Sequence, residues 1–481
     1  MKRWHDPITA HTVTLRVDRR LAVVAVLSAG LVAGCATFHA QPLHPTETAA
    51  AFEARRLTDP GLRAFLEHEL GRPVDPWPPA SWDLPLLTLA AAYYQPDLRV
   101  ARATWQAATA GVQTAGARPN PSVSLAPQFV RNVEPGISPW VFGPSFDLPI
   151  ETAGKRGHRI AKARHLSEAA RFHLAEAAWK VRSQLRSRLL DLYFASQAEA
   201  VMERQQTAQA RYLAALEEQQ TAGAVSPTMM AQTHVAMDRT LLALGDARQR
   251  SLEAATLCAQ ALGVSTRALQ EAVLSFDWVE TLADEPAADE LKRQALLRRP
   301  DLLAALEDYA ASQANLQLEI AKQYPDLHLG PGYTWDQGTE KWSVGLSLSL
   351  PLLDRNQGPI AEAKAGCAAS AARFEALQAA VLGELDRASA GYHTALESFL
   401  GAEAMLSTQR LQFREAQDRL NTEAVASAAR LATEVELDAA LLTRLQALVQ
   451  AQHALGLLED AAQSPLAPEA ASAAPLEAPQ P

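Results

Sequence analysis

Gln95-Pro96-Asp97-Leu98 returns 204 residues later as Arg299-Pro300-Asp301-Leu302. The spacing persists along the chain. Pro121 maps onto Pro325, Leu148-Pro149 onto Leu350-Pro351 and Ala224-Val225 onto Ala424-Val425, so the offset drifts only from 204 to 200. Self-similarity over such a length means one structural unit used twice, and it sets the architecture before any finer argument. The copies are read as residues 92–265 and 295–463, with a connection at 266–294.

Each copy follows one plan. A helical segment (about 97–118, then 301–323) leads into two alternating stretches, a very long helical stretch, a turn and another long helix. In the first copy Val123, Leu125 and Phe129 alternate with Ser122, Ser124 and Gln128. Trp140, Phe142, Phe146 and Leu148 then alternate with Val141, Gly143, Ser145 and Asp147. In the second copy Leu327, Leu329, Tyr333 and Trp335 alternate with Asp326, His328, Gly330 and Thr334. Trp342, Val344, Leu346, Leu348 and Leu350 alternate with Ser343, Gly345, Ser347 and Ser349. Strands are therefore expected near 121–130, 139–149, 325–335 and 341–351. Period two over about nine or ten residues, with one greasy and one polar face, is the pattern of a membrane-spanning β-strand. Phe129, Trp140, Trp335 and Trp342 stand beside expected loops at 131–139 and 336–341, where an interfacial aromatic girdle belongs. A pair of soluble hairpins packed on a core is the competing reading, and the short polar face weighs against it.

Four strands cannot close. The smallest membrane barrels have about eight, and an open edge in lipid leaves backbone groups unsatisfied. Oligomerisation is expected on geometry alone: eight strands as a dimer, twelve as a trimer.

Residues 155–222 contain no Pro and one Gly, at 157. A helix of that length reaches on the order of 100 Å. Its charges exclude a bilayer crossing. Gly223 is a good stop, and Ser226 with Pro227 a good start for the next helix. In the second copy Glu423 and Ala426 replace Gly223 and Ser226, which leaves Ser427 or Thr433 as the candidate cap. Leu213, Ala215, Leu216, Leu241, Leu242 and Leu244 suggest coiled-coil-like packing of the helix pair.

The N-terminal segment is a targeting signal. Lys2, Arg3, Arg16, Arg19 and Arg20 precede the apolar run Leu21 to Leu31, which ends in Val32-Ala33-Gly34-Cys35. The run falls short of the about 20 residues of a membrane-spanning helix. Val-Ala-Gly-Cys resembles a bacterial lipobox, in which the Cys becomes the acylated first residue. Residues 1–34 are then the signal, Cys35 the lipidation site and 35–91 a lipid-anchored segment, with an ordinary signal peptide as the alternative. Residues 464–481 read as a disordered tail.

Composition excludes much else. Among 481 residues, 44 Lys+Arg face 54 Asp+Glu, so no basic face for nucleic acid is expected. Three cysteines make neither a disulfide framework nor a zinc spacing. No GxSxG, HExxH or GxxxxGK[ST] motif occurs, so neither an enzyme nor a cofactor is expected beyond the lipid on Cys35. His158, His165 and His173 show no ligand-like spacing with acidic partners, and no metal site is assigned. Lys155, Arg156 and Arg159 sit at a helix start, where cations oppose the helix dipole. Contact with phosphate head groups is the role assigned to them, against ordinary solvation.

Several longer words resemble the TolC-type outer-membrane factors of tripartite efflux systems: RPDL, YPDLHLGPGY and WSVGLSLSLPLLDRNQGPIAEA in the second copy, and LPIETAGKRGHRIAKA in the first. FEARRLTDPGLRAFLE and WPPASWDLPLLTLAAAYYQPDL resemble the branch that includes the cobalt-zinc-cadmium resistance component. The likeness covers residues 50–463. It implies a mainly α chain with a β-barrel part, trimeric, forming a twelve-stranded outer-membrane barrel on a periplasmic α-helical tunnel. It further implies a passive gated conduit, a periplasmic adaptor of the membrane fusion type and an inner-membrane pump of the RND type. Gly223, Ala224, Val225, Ser226, Val425 and Ala426 would be adaptor-contact tips. Glu434 and Asp438, which share a helix face, would line an aperture that favours cations, although an acid-rich helix start explains them equally. Heavy-metal cations are the cargo that this branch implies. A drug-export or type I secretion channel, or a non-channel periplasmic coiled-coil scaffold lipoprotein, are the alternatives.

Overall fold

The structure is a computed structural model that describes residues 36–221, 223–420 and 427–466. Cys35, Val425 and Ala426 lie outside the described residues. The chain divides into two units, the first ending at Ala54. That unit holds α1 (Pro45–Glu53), which buries none of its residues. All that follows concerns the second unit, from Arg55 onward.

Helices α2 (Pro60–Leu70) and α3 (Leu84–Tyr94) start on Asp59 and Asp83, whose carboxylates accept the Gly61 and Leu86 N–H groups. An Asp cap followed by Pro in the first helical turn satisfies donors that no helical carbonyl can reach. Helix α3 buries Leu84, Leu87, Leu89, Ala90, Ala91, Ala92 and Tyr94, so it has no polar face to show water. A helix hydrophobic all round belongs inside, and α3 packs among α2, α5 (Lys155–Thr221) and α6 (Pro227–Leu262).

The order of elements then runs twice. Helix α4 (Pro96–Gly116) is followed by strands, α5 and α6. After a short α7 (Thr266–Gln270), a single 3-10 turn (Asp277–Glu280) and α8 (Ala288–Arg298), helix α9 (Pro300–Ala321) is followed by strands, α10 (Gln357–Leu420) and α11 (Ser427–Ala462). The 67 residues of α5 pack against α4, α6, α9 and α11. One core gathers Leu62, Leu66, Leu87, Leu98, Leu185, Leu189 and Leu262. A second gathers Leu291, Leu302, Val381, Leu385, Tyr392, Leu455 and Leu458. Leu190, Val279 and Leu448 join the halves. Each such leucine contributes about 1.5–3 kcal/mol by leaving water.

The sheet has four lines of strand. Strands β1 (Ser122–Leu125) and β2 (Gln128–Phe129) share the first, and β3 (Trp140–Phe142) and β4 (Pro144–Ile150) the second. Ser122 stands opposite Asp147 and Phe129 opposite Trp140 in one unbroken antiparallel register. The expected single strands are interrupted at Ala126-Pro127, where Pro lacks a ladder donor, and at Gly143. A Cβ at Gly143 would overlap the Tyr333 carbonyl of β5 (Leu327–Asp336), so only glycine lets the two backbones approach there. Strand β5 pairs with β3 and β4 on one side and with β6 (Thr339–Leu348) on the other. The β5–β6 loop is tighter than the 336–341 expected. Gln337 and Gly338, both at positive φ (53° and 99°), make a two-residue turn that matches the strand twist.

The tail boundary also moves. Residues 464–466 are described, with Ser464 N–H on the Glu459 carbonyl (3.2 Å) and Leu466 N–H on Glu459 Oε1 (2.9 Å). Residues 467–481 lie outside the described residues.

Candidate functional site

Three features of the second unit bear on function: the sheet, the passage from strand to helix, and the helical hairpin.

The sheet is amphipathic, and its apolar face is uncovered. Leu148, Leu329 and Leu346 stand opposite one another across three strands, as do Phe142 with Trp335 and Tyr333 with Trp342. Yet Leu346 is 65% exposed, Val344 78% and Trp342 80%. The rings meet near the loops: Phe129 and Trp140 centroids are 5.2 Å apart, Phe142 and Trp335 5.3 Å, and Tyr333 and Trp342 4.9 Å. The other face carries short polar groups, with Ser124 Oγ bonded to Ser145 Oγ at 2.7 Å. No described helix is long and apolar enough to cross a membrane.

At the strand-to-helix passage Lys155, Arg156 and Arg159, the residues assigned to head-group contact, each have partners within the chain. Lys155 is buried and its Nζ donates to Asp326 Oδ1 at 2.7 Å. Arg156 Nε donates to the Gly116 carbonyl at 2.7 Å. Arg159 reaches the Ala115 and Ala117 carbonyls (both 3.1 Å) and pairs with Glu151. The two arginines therefore serve the C-terminal end of α4, whose unpaired carbonyls and negative dipole end attract them. Spacing within one helix could not reveal a partner that lies about forty residues upstream.

The first helical hairpin turns as its sequence demands. Gly223 adopts a left-handed φ of 74°. Its N–H bonds the Gln220 carbonyl and the Ala224 N–H the Gln219 carbonyl, both at 2.9 Å, which satisfies carbonyls left over by α5. Ser226 Oγ accepts the Met229 N–H at 3.3 Å. Gly223, Ala224 and Ser226 are exposed, while Val225 packs beside Leu216 and Met230. Of the expected coiled-coil positions, Leu216 and Leu244 are buried but Leu241 and Leu242 are exposed. In the second hairpin Thr433 does not cap; its hydroxyl bonds the Arg430 carbonyl inside α11.

The expected aperture pair, Glu434 and Asp438, differ in exposure. Glu434 bonds Arg430 at 3.4 Å, whereas Asp438 is only 7% exposed. Burial raises the Asp438 carboxyl, with Arg204 opposing and Glu434 adding to the rise.

A buried polar seam between α5 and α11 had no sequence signal. Arg182 bonds Glu459 (3.2 Å) and Arg186 bonds the Gln452 carbonyl and side chain (both 2.8 Å). Gln452 Nε2 in turn donates to the Val279 and Thr281 carbonyls at 2.7 and 2.9 Å, holding the connection between the halves. Arg444 bonds both Glu280 and Glu403 and holds the Glu280 carboxyl below its usual range.

Histidines find acids both along one helix, as His173 does with Glu176 (3.2 Å), and across elements. His165 Nδ1 lies 2.6 Å from Glu307 and His328 Nδ1 3.0 Å from Asp147. No group of three or more metal-ligating side chains occurs among the described residues. Cys258 is fully buried, and burial pushes its thiol up to about 12, as suits a packing residue.

An exposed amphipathic sheet joined to charged helices has counterparts among known proteins. The chain is 27% identical over 251 residues to the cobalt-zinc-cadmium resistance protein CzcC of Cupriavidus metallidurans, a stretch that spans 52% of this chain but 58% of that relative. Its fold is similar to that of the outer-membrane channel OprN (TM-score 0.62, 20% identity, 88% of this chain and 98% of that one). It is also similar to the fold of VceC from Vibrio cholerae (0.64, 16%, 80% and 97%) and of CusC (0.64, 15%, 89% and 99%). The profile of the outer membrane efflux protein family matches residues 90–264 and 291–462, on either side of the short connecting helices. With most of the helical and strand segments inside that match, the chain belongs to the outer membrane efflux protein family.

Proposed function

We propose that the chain is the outer-membrane channel of a tripartite efflux system, built as a trimer with a twelve-stranded barrel. The observation that carries this is the uncovered apolar face of a four-line sheet whose outer strands, β1 and β6, each have one unpaired edge. Such a sheet is stable in lipid only when edges from several chains close on one another. The helices carry charges throughout and extend the conduit on the periplasmic side.

The energy for transport comes from an inner-membrane pump of the RND type, reached through a periplasmic adaptor that meets the hairpin tips at Gly223, Ala224, Val225 and Ser226 and at Val425 and Ala426. Glu434 is the acidic group near the second tip. The two copies at 92–265 and 295–463 are the repeated unit of this design, and 35–91 is its lipid-anchored N-terminal segment. Heavy-metal cations are the proposed cargo, supported by the likeness to CzcC.

Native mass in mild detergent tests the proposal. Three chains per particle are expected, and a monomer would return the chain to a periplasmic scaffold. Labelled palmitate should enter the wild type and not Cys35→Ser; incorporation into both would remove the lipid anchor from the scheme.

A further inference from the structure

We infer that His328 and Asp147 form a contact point for transition-metal cations on the polar wall of the sheet, an inference that rests on the conduit reading above.

The pair joins the two hairpins. Register sets Pro149 of β4 opposite His328 of β5, so Asp147 is the diagonal neighbour on the same face. Nδ1 of the imidazole lies 3.0 and 3.1 Å from the two carboxylate oxygens. A carboxylate only accepts, so Nδ1 carries the hydrogen and the lone pair of the neutral ring is left on Nε2. That nitrogen has no hydrogen-bond partner among the described residues. An imidazole whose far nitrogen is held by a carboxylate is the usual arrangement behind a metal-ligating histidine, because the acceptor sets the tautomer and raises the basicity of the ligand.

The surroundings leave the ring uncovered. The same face carries Ser124, Ser145, Gly330, Gly332, Ser343 and Ser347, all neutral and short, with Ser347 directly opposite His328. At the loop end of that face Asp336 pairs with Lys341, and Asp326, two residues before His328, is taken up by Lys155 and the Thr152 N–H. His328 and Asp147 both remain accessible, with 39% and 47% of their side chains exposed. As a purely structural tie, a polar contact so open to solvent adds little to stability.

Imidazole nitrogen selects borderline and softer cations such as zinc, cobalt and cadmium over calcium or magnesium, which prefer oxygen. One imidazole with one supporting carboxylate is a weak site, and a conduit wall requires a site that lets its ion go.

The test is ionic current through the purified full-length protein in planar bilayers, before and after CdCl2, with CaCl2 as control. Each protein is scored against its own metal-free current. Cd2+ should reduce the wild-type current reversibly, and chelator should restore it, while Ca2+ at the same concentration should not act. His328→Gln should lose the Cd2+ effect. Asp147→Asn keeps the ligand but not its acceptor and should need at least about tenfold more Cd2+; it also serves should His328→Gln fail to assemble. Equal Cd2+ inhibition in wild type and variants would overturn the inference, as would a wild-type current indifferent to Cd2+, with the conduit left standing in either case. A trimer that passes no current in any form would instead defeat the conduit reading and this inference with it.

Discussion

Gln95 and Arg299, 204 residues apart, do the same work at two helix ends. Each precedes a proline that opens a helix, with nearly the same backbone angles: φ −66° and ψ 124° for Gln95, φ −61° and ψ 123° for Arg299. Gln95 Nε2 donates to the Gln260 carbonyl at 2.8 Å and to that of Ala261, the last turn of α6. Arg299 Nη1 donates to the Ala461 carbonyl at 2.5 Å, in the last turn of α11. Both side chains supply donors that the helix C-terminus lacks. The arginine adds an ion pair with Asp301 at 2.6 Å.

Removing the two should therefore cost unequal amounts. Arg299→Ala strips a buried guanidinium from Asp301 and from a carbonyl and should lose about 3 kcal/mol. Gln95→Ala forfeits neutral hydrogen bonds and should lose about 1 kcal/mol. Thermal midpoints in mild detergent check the order; equal shifts would mean that the ion pair adds nothing.

Gly456 is held small by Arg186. A Cβ there would overlap Arg186 Nη1, and that guanidinium is tethered to Gln452 at two points and cannot give way cheaply. Gly456→Ala should cost about 1–3 kcal/mol by overpacking. The next residue, Leu457, is 63% exposed, so Leu457→Ala should leave the melting temperature nearly unchanged and serves as the control.

The facing of β6 has a direct test. Leu346 lies with Leu148 and Leu329 on the apolar face, and Ser347 lies opposite His328 on the other. Leu346→Arg should cost about 2–4 kcal/mol of stability if the residue sits near the bilayer midplane. Ser347→Arg should assemble. Refolding into lipid vesicles with urea titration measures both, and equal losses would reverse the facing.

Asp438 predicts a pH dependence. Burial raises its carboxyl in the folded chain, so the folded state holds a proton that the unfolded state has already released. Stability should then fall as pH rises from the ordinary carboxylate range through the raised value. Asp438→Asn removes that penalty and should melt higher than wild type at neutral pH, with the gap closing in acid. A variant that melts lower at neutral pH would show that the charge is favourable where it stands.

Much of the fold was legible because it is written in local rules. Period two in Trp342 to Leu348 and the absence of Pro from 155 to 221 need no distant partner to be read. The same holds for Gly223 and Ser226, whose backbone demands decide the turn. The sequence also determined that the unit occurs twice and that four amphipathic strand lines cannot close alone. Tertiary structure decided the rest. Arg156 and Arg159 found carbonyls at the end of α4, Lys155 found Asp326, Asp438 went into the packing, and Arg186 settled on Gln452, 266 residues away. His328 and Asp147 met because register brings diagonal neighbours of two strands onto one face. A charged side chain takes whatever partner the packed backbone leaves within reach, and a periodicity carries no record of which partner that is.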